Sequence, residues 1–159
     1  INDPENYDAM SEVMWAGSLS HNGLTGLGGI RDFSTHQLGH ELSATFDIAH
    51  GESLSAVWGS LAKYICPERP ERFARYARNV WGVTEKDTEK AALSGIEKTV
   101  EYFRSLGMPV SLPECVGVQS EEALRGLAWR CTYKDTRTIG SFKVLNTEDV
   151  YNIYKMANE

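Results

Sequence analysis

The stretch Thr35-His36-Gln37-Leu38-Gly39-His40-Glu41-Leu42-Ser43-Ala44, followed by Asp47-Ile48-Ala49-His50-Gly51, holds three of the four histidines of the chain. His36, Leu38, His40, Leu42 and Phe46 fit one helix, and residues four apart on a helix share a face, so His36 and His40 project into one space. His50, beyond a turn, reaches that space from the next element. Neutral imidazole is the commonest side-chain ligand of transition metals, and two or three such groups suit iron, zinc, cobalt or nickel better than magnesium or calcium. Spacing by itself leaves two readings open, ligands or incidental histidines. The residues between His36 and His40 are Gln37, Leu38 and Gly39, so the glutamate of a zinc-protease helix is missing and hydrolysis loses its base. Gly39, Ser43, Ala44, Ala49 and Gly51 are small enough to let a ligand come close to the backbone, as in a cleft.

Working outward, apolar residues recur at helical spacing almost throughout, and strand-like alternation is scarce, which predicts an all-α fold. The first helix is expected to be capped by Asp3, with Pro4 at its first position, and to stop near Asn22-Gly23. A glycine-rich loop, Gly23 to Gly29, follows it. Ser34 or Thr35 caps the histidine-bearing helix, which gives way near Asp47. A third helix carries Leu54, Val57, Trp58, Leu61 and Ile65 and ends before Cys66-Pro67. A fourth runs from Pro70 to Trp81, and a long one begins at Thr84 or Thr88 and is closed by Gly107 and Pro109. Ser120-Glu121-Glu122 and Asn146-Thr147-Glu148-Asp149 open the last two. The expected organisation is one helical metal-binding domain spanning residues 1–159.

A net charge of −6 argues against general nucleic-acid binding, which needs clustered lysines and arginines. No apolar run approaches the roughly 18 residues that span a bilayer, and no secretory signal is visible. Cys66, Cys115 and Cys131 form no CxxC pair and leave an odd thiol, which fits reduced cysteines in a cytoplasmic protein.

The histidine block resembles the metal-site signature of the iron-containing alcohol dehydrogenases, and in particular their butanol dehydrogenase-like, usually NADPH-linked branch. Met14-Trp15-Ala16 and Asn22-Gly23-Leu24 upstream resemble the same branch, and Tyr76-Ala77-Arg78-Asn79-Val80-Trp81-Gly82 downstream does so more loosely. The resemblance implies the helical C-terminal domain of that family, a dehydroquinate synthase-like fold, with hydride exchange between a nicotinamide and a small alcohol or aldehyde. It implies that His36 and His50 bind a divalent metal, iron or zinc, and that His40 lines the cleft near substrate and nicotinamide in a catalytic and cofactor-binding role. In that family an Asp and a His four apart, well upstream of the glycine loop, complete the ligand set. Nothing in this sequence matches them, and nothing matches the N-terminal α/β domain that holds NADP or NAD. Gly26-Leu27-Gly28-Gly29 lacks the GxGxxG spacing of a dinucleotide turn. The expectation is therefore the metal-carrying part of a longer enzyme, inactive alone, with a homodimer suggested by the resemblance only.

The remaining residues read more plainly. Asp32 is expected to be a helix-start acid and His21 a helix-end cation. Phe33, Trp15 and Trp58 are expected to fill core. Glu41 and Asp47 are expected to be exposed acids rather than partners of the histidine rings. Two rival readings remain at this stage: a free-standing helical metal- or haem-binding module, and a structural interaction domain with incidental histidines.

Overall fold

A computed structural model describes residues 2–159. Among these residues eight α-helices form and no strand, as the periodicity predicts, apart from one isolated antiparallel bridge between Ile139 and Leu145. None of the helices is long and apolar enough to cross a membrane. The chain forms two compact units that divide after Arg31.

The first unit holds α1 (Tyr7–His21) and a 3-10 turn, Leu24–Gly26. Asn6, not Asp3, caps α1: its Oδ1 accepts from the Ala9 N–H at 2.9 Å. The expected start is displaced because the Asp3 carbonyl is used in a preceding turn, accepting from the Asn6 N–H, so helical bonding begins one turn later. Gly23 takes φ 89°, a left-handed conformation that favours glycine, and the Arg31 guanidinium occupies the space where a Cβ would lie. None of the residues of α1 is buried, and Trp15, expected in the core, is 62% exposed.

The second unit begins with α2 (Ser34–Phe46) and α3 (His50–Ile65). A 3-10 turn, Cys66–Glu68, leads to α4 (Pro70–Trp81) and α5 (Thr88–Ser105). The short α6 (Leu112–Val116), capped by Ser111, was not expected from the sequence, and α7 (Glu121–Cys131) and α8 (Thr147–Ala157) complete the set. Pro67 and Pro70 lie where helices end and begin, because proline lacks the N–H that a helix interior requires. Helix α5 begins at Thr88, the second of the two starts expected, and Asp87 caps it, its Oδ1 accepting from the Lys90 N–H. The left-handed Gly107 follows its end.

Helix α3 runs through the middle of this unit and packs on α2, α5, α6 and α8. One core joins Leu38 and Leu42 of α2 to Val57 and Leu61 of α3, Leu127 of α7, and Ile153 and Tyr154 of α8. Each such side chain, once removed from water, contributes about 1.5–3 kcal/mol. A smaller cluster of Ala62, Ala74, Ala91, Ala92 and Ile96 lies where α3, α4 and α5 approach. Its small residues set a close spacing, and a Cβ on Gly95 would meet Ala77.

Candidate metal centre

Helix α2 carries His36 in its first turn and His40 one turn later, and α3 opens with His50. The chain leaves α2 through Asp47, which takes the left-handed conformation at φ 53°, and turns back so that α3 starts alongside the middle of α2. A close approach at Gly39 fixes this arrangement, since a Cβ there would lie 2.8 Å from both Leu54 Cδ2 and Ser53 Oγ. Ser43 donates to Ser53 Oγ at 3.1 Å, and Ser53 donates to the carbonyl of His50 at 2.8 Å. This hydroxyl relay ties the first turn of α3 to α2.

Two far contacts hold α2 from its other sides. The Tyr154 hydroxyl donates to the Leu38 carbonyl at 2.8 Å from α8, and Arg130 of α7 donates to Glu41 at 3.3 Å and to Thr45 at 3.0 Å. Glu41 is therefore an inter-helix ion-pair partner, neither the exposed acid expected nor a partner of the histidines. Asp32 precedes α2 as the expected helix-start acid: one oxygen accepts from Ser34, the other from the N–H groups of Ser141 and Phe142 at 2.7 Å each. Burial would raise its carboxyl, but the hydrogen bonds from Phe142, Ser34 and Ser141 outweigh burial and hold it below the usual range. Its oxygens are thereby committed to the backbone.

The three rings converge. The His36 and His50 ring centres lie 5.3 Å apart with planes tilted at 54°, His40 and His50 are stacked at 5.0 Å and 26°, and His36 and His40 are 6.2 Å apart. Imidazole binds a metal through an in-plane nitrogen at about 2.1 Å, which puts the centres of two rings sharing a tetrahedral ion about 5.4 Å apart. The His36–His50 pair fits that spacing. Two stacked rings direct their in-plane lone pairs along nearly parallel planes, so His40 does not aim at the same point as His50. Among the described residues no three His, Cys, Asp or Glu side chains are grouped to hold an ion, so the two rings stand without a third candidate ligand from this chain. His36 is half-buried whereas His40 and His50 are exposed, which leaves the other side of the pair open.

Phe33 lies edge-on to His36 at 5.2 Å and is 45% exposed, so it flanks the cluster instead of filling the core as expected. Trp58 is half-buried. It lines a cavity of about 500 Å³ together with His36, Gly51, Leu54, Phe103 and Met108. That cavity was not legible in the sequence, because Phe103 and Met108 come from the end of α5 and the loop after it. The three thiols are unpaired and hold no low, reactive pKa: burial raises all of them, Cys131 to about 12.

Comparison with known proteins places this arrangement in a family. NADH-dependent butanol dehydrogenase A of Clostridium acetobutylicum is 40% identical over 153 residues, covering 95% of this chain and 39% of that protein. The NADPH-dependent aldehyde reductase YqhD of Escherichia coli is 35% identical over 114 residues, covering 72% of this chain and 30% of that one. The crystal structure of NADH-dependent butanol dehydrogenase A from Thermotoga maritima superposes with a TM-score of 0.88 at 29% identity, over 98% of this chain and 40% of that one. The chain thus spans about 40% of the length of relatives it matches almost end to end. Residues 1–158 match the C-terminal part of the Fe-containing alcohol dehydrogenases, and this chain belongs to that family.

Proposed function

We propose that this chain is the metal-carrying, helical portion of an NAD(P)H-dependent alcohol dehydrogenase or aldehyde reductase acting on small alcohols or aldehydes. The observation that carries the reading is the 5.3 Å spacing of the His36 and His50 rings on the first turns of two helices. In this reading His36 and His50 hold a divalent ion, iron or zinc, and residues outside this chain complete its coordination and bind the nicotinamide. When bound, the ion supplies Lewis-acid polarisation of the substrate oxygen, and the nicotinamide supplies or accepts hydride.

The residues of this chain then have separate tasks. The Ser43–Ser53 relay and the close contact at Gly39 hold the two ligand-bearing turns at a fixed spacing, which keeps the ion's position constant through the reaction. His40, stacked on His50 and exposed, faces the same space without competing as a ligand. One of its ring nitrogens hydrogen-bonds the substrate oxygen and passes its proton to or from water, a task suited to an imidazole.

The test uses the full-length enzyme that contains this chain. His36→Ala and His50→Ala are each expected to lose stoichiometric metal by elemental analysis, with turnover falling beyond the roughly 10–100-fold that loss of an outer-shell partner costs. His40→Ala is expected to keep its metal while turnover falls by about 10²–10⁴-fold. Full metal content in both of the first two variants refutes the ligand assignment, and unchanged turnover in the third removes His40 from the chemistry.

A further inference from the structure

Two cavities of the second unit share a pair of aromatic side chains. The first, of about 500 Å³, is lined by His36 and by Gly51, the neighbour of His50, so it opens where the proposed ion would sit. Its size falls in the range of about 300–1,000 Å³ typical of small-molecule sites. Leu54, Leu106 and Met108 make its wall apolar, and no lysine or arginine lines it. Asp32 borders it with its oxygens already taken by Ser34, Ser141 and Phe142, and the Ser55 hydroxyl donates to the Glu52 carbonyl. Its remaining polar groups, Thr35 and His36, come from the first turn of α2, while Leu54, Trp58, Phe103, Leu106 and Met108 make the rest of the lining apolar, which suits a polar head at the histidines with a neutral hydrocarbon chain behind it.

Trp58 and Phe103 also line the second cavity, of about 760 Å³, together with Phe73, Tyr76, Trp81 and Phe142. Their rings meet edge to face, 5.8 Å between centres at 82°. Three polar groups of the second cavity satisfy each other: Tyr76 and Thr99 share a hydrogen bond of 2.7 Å, and the Trp81 N–H donates to both at 3.1 and 3.0 Å. Arg72 and Tyr102 also belong to its lining, which is otherwise aromatic and aliphatic, and Trp58 and Phe103 are the side chains that border both spaces.

We infer that the Trp58–Phe103 pair is the wall that limits the length of the substrate's hydrocarbon tail. This rests on the proposed function, because the tail is placed by a reacting oxygen held near His36 and His50. The pair determines specificity by exclusion: a tail that fits the first cavity is accepted, and one that extends further meets the rings. Removal of the indole joins the two cavities and gives a longer tail apolar surface to bury.

The test compares butanal and decanal as substrates of the full-length enzyme and of its Trp58→Ala and Phe103→Leu variants. The ratio of kcat/KM for decanal over butanal is expected to rise roughly ten-fold or more in Trp58→Ala and less in Phe103→Leu, the scale on which a few methylene contacts discriminate. A second readout needs no turnover: calorimetric binding of 1-decanol to the metal-free full-length enzyme is expected to tighten in the same order. Phe103→Leu, the milder change, decides the matter if Trp58→Ala does not fold. Folded variants whose ratio and 1-decanol binding both stay within about two-fold of the parent overturn the wall. The two proposals fail separately, since metal retained in His36→Ala and His50→Ala refutes the ligand pair while the 1-decanol measurement still reports on the wall.

Discussion

Gly39 connects the backbone to the candidate site more directly than any other single residue. It lies between His36 and His40 on α2 and faces α3, and the first atoms of any side chain there would press on Ser53 and Leu54. Gly39→Val is expected to lower the free energy of unfolding by about 1–3 kcal/mol, the usual cost of overpacking. It is also expected to weaken metal retention in the full-length enzyme, because separating α2 from α3 separates the His36 and His50 rings. Gly39→Ala provides the milder comparison. Its methyl still meets Leu54 Cδ2 and Ser53 Oγ at 2.8 Å, and the roughly 1 kcal/mol preference of a helix for alanine over glycine offsets part of that crowding, so the variant should lie between the parent and Gly39→Val in urea unfolding. A valine variant as stable and as metal-replete as the parent would show that the close approach is not needed. At this scale the sequence disclosed the histidines, because their spacing is local to two adjacent helices. It did not disclose the partners of Asp32 and Glu41. Those are Ser141, Phe142 and Arg130, residues about a hundred positions away whose approach depends on packing.

Among the elements, α8 shows how a helix end can carry more than its own cap. Asn146 Oδ1 accepts from the Asp149 N–H, and Asp149 in turn accepts from the Asn146 N–H, each at 2.9 Å, which is a reciprocal capping box. The other Asp149 oxygen accepts from the Tyr64 hydroxyl of α3 at 2.6 Å. Burial, then the hydrogen bond to Asp149 and its charge, raises the Tyr64 phenol above its ordinary range. Asn146→Ala is expected to cost about 1 kcal/mol, as cap deletions do. Asp149→Ala should cost about 2–3 kcal/mol, because the bond from Tyr64 is lost with the cap. In a Tyr64→Phe background the two deletions should become nearly equal, and a persistent gap measured by urea unfolding would disprove the shared role of Asp149. The helices of this chain were legible where such caps stand: Pro70, Ser120 and Asn146 mark their starts as expected. The prediction went astray where two caps competed, as Asp3 did with Asn6, and where an element was too short for periodicity, as in α6. Trp15 and Phe33 were misplaced because size and apolarity suggest burial only when a neighbouring face is there to receive them.

Taken whole, the second unit depends on α2, α7 and α8 meeting around groups that must stay protonated. Cys131 is buried with its thiol raised from 9.0 to about 12, by burial first and then by the charge of Glu41. Tyr154 is fully buried, and burial, then the nearby Cys131 and Glu41, holds its phenol well above 10.0. Its hydroxyl donates to the Leu38 carbonyl, so ionisation would remove that bond as well as bury a charge. Both groups keep their protons more tightly when folded than when unfolded. Their contribution is therefore fully present below the unfolded values and is lost as pH rises towards the folded ones. For Cys131 the window runs from 9.0 to about 12, and the slope there is about 1.4 kcal/mol per pH unit for each group released. Urea midpoints followed by helical circular dichroism should accordingly fall steeply between pH 9 and pH 11. Cys131→Ala separates the contributions: it should be less stable than the parent at pH 7, by about 1 kcal/mol for the small void it leaves, and should lose the difference as pH rises. Parallel curves for the two proteins would mean that the Cys131 proton does not govern the alkaline limit. That limit would then fall to Tyr154, whose phenol is the remaining buried proton where α8 meets α2, the helix that carries His36 and His40.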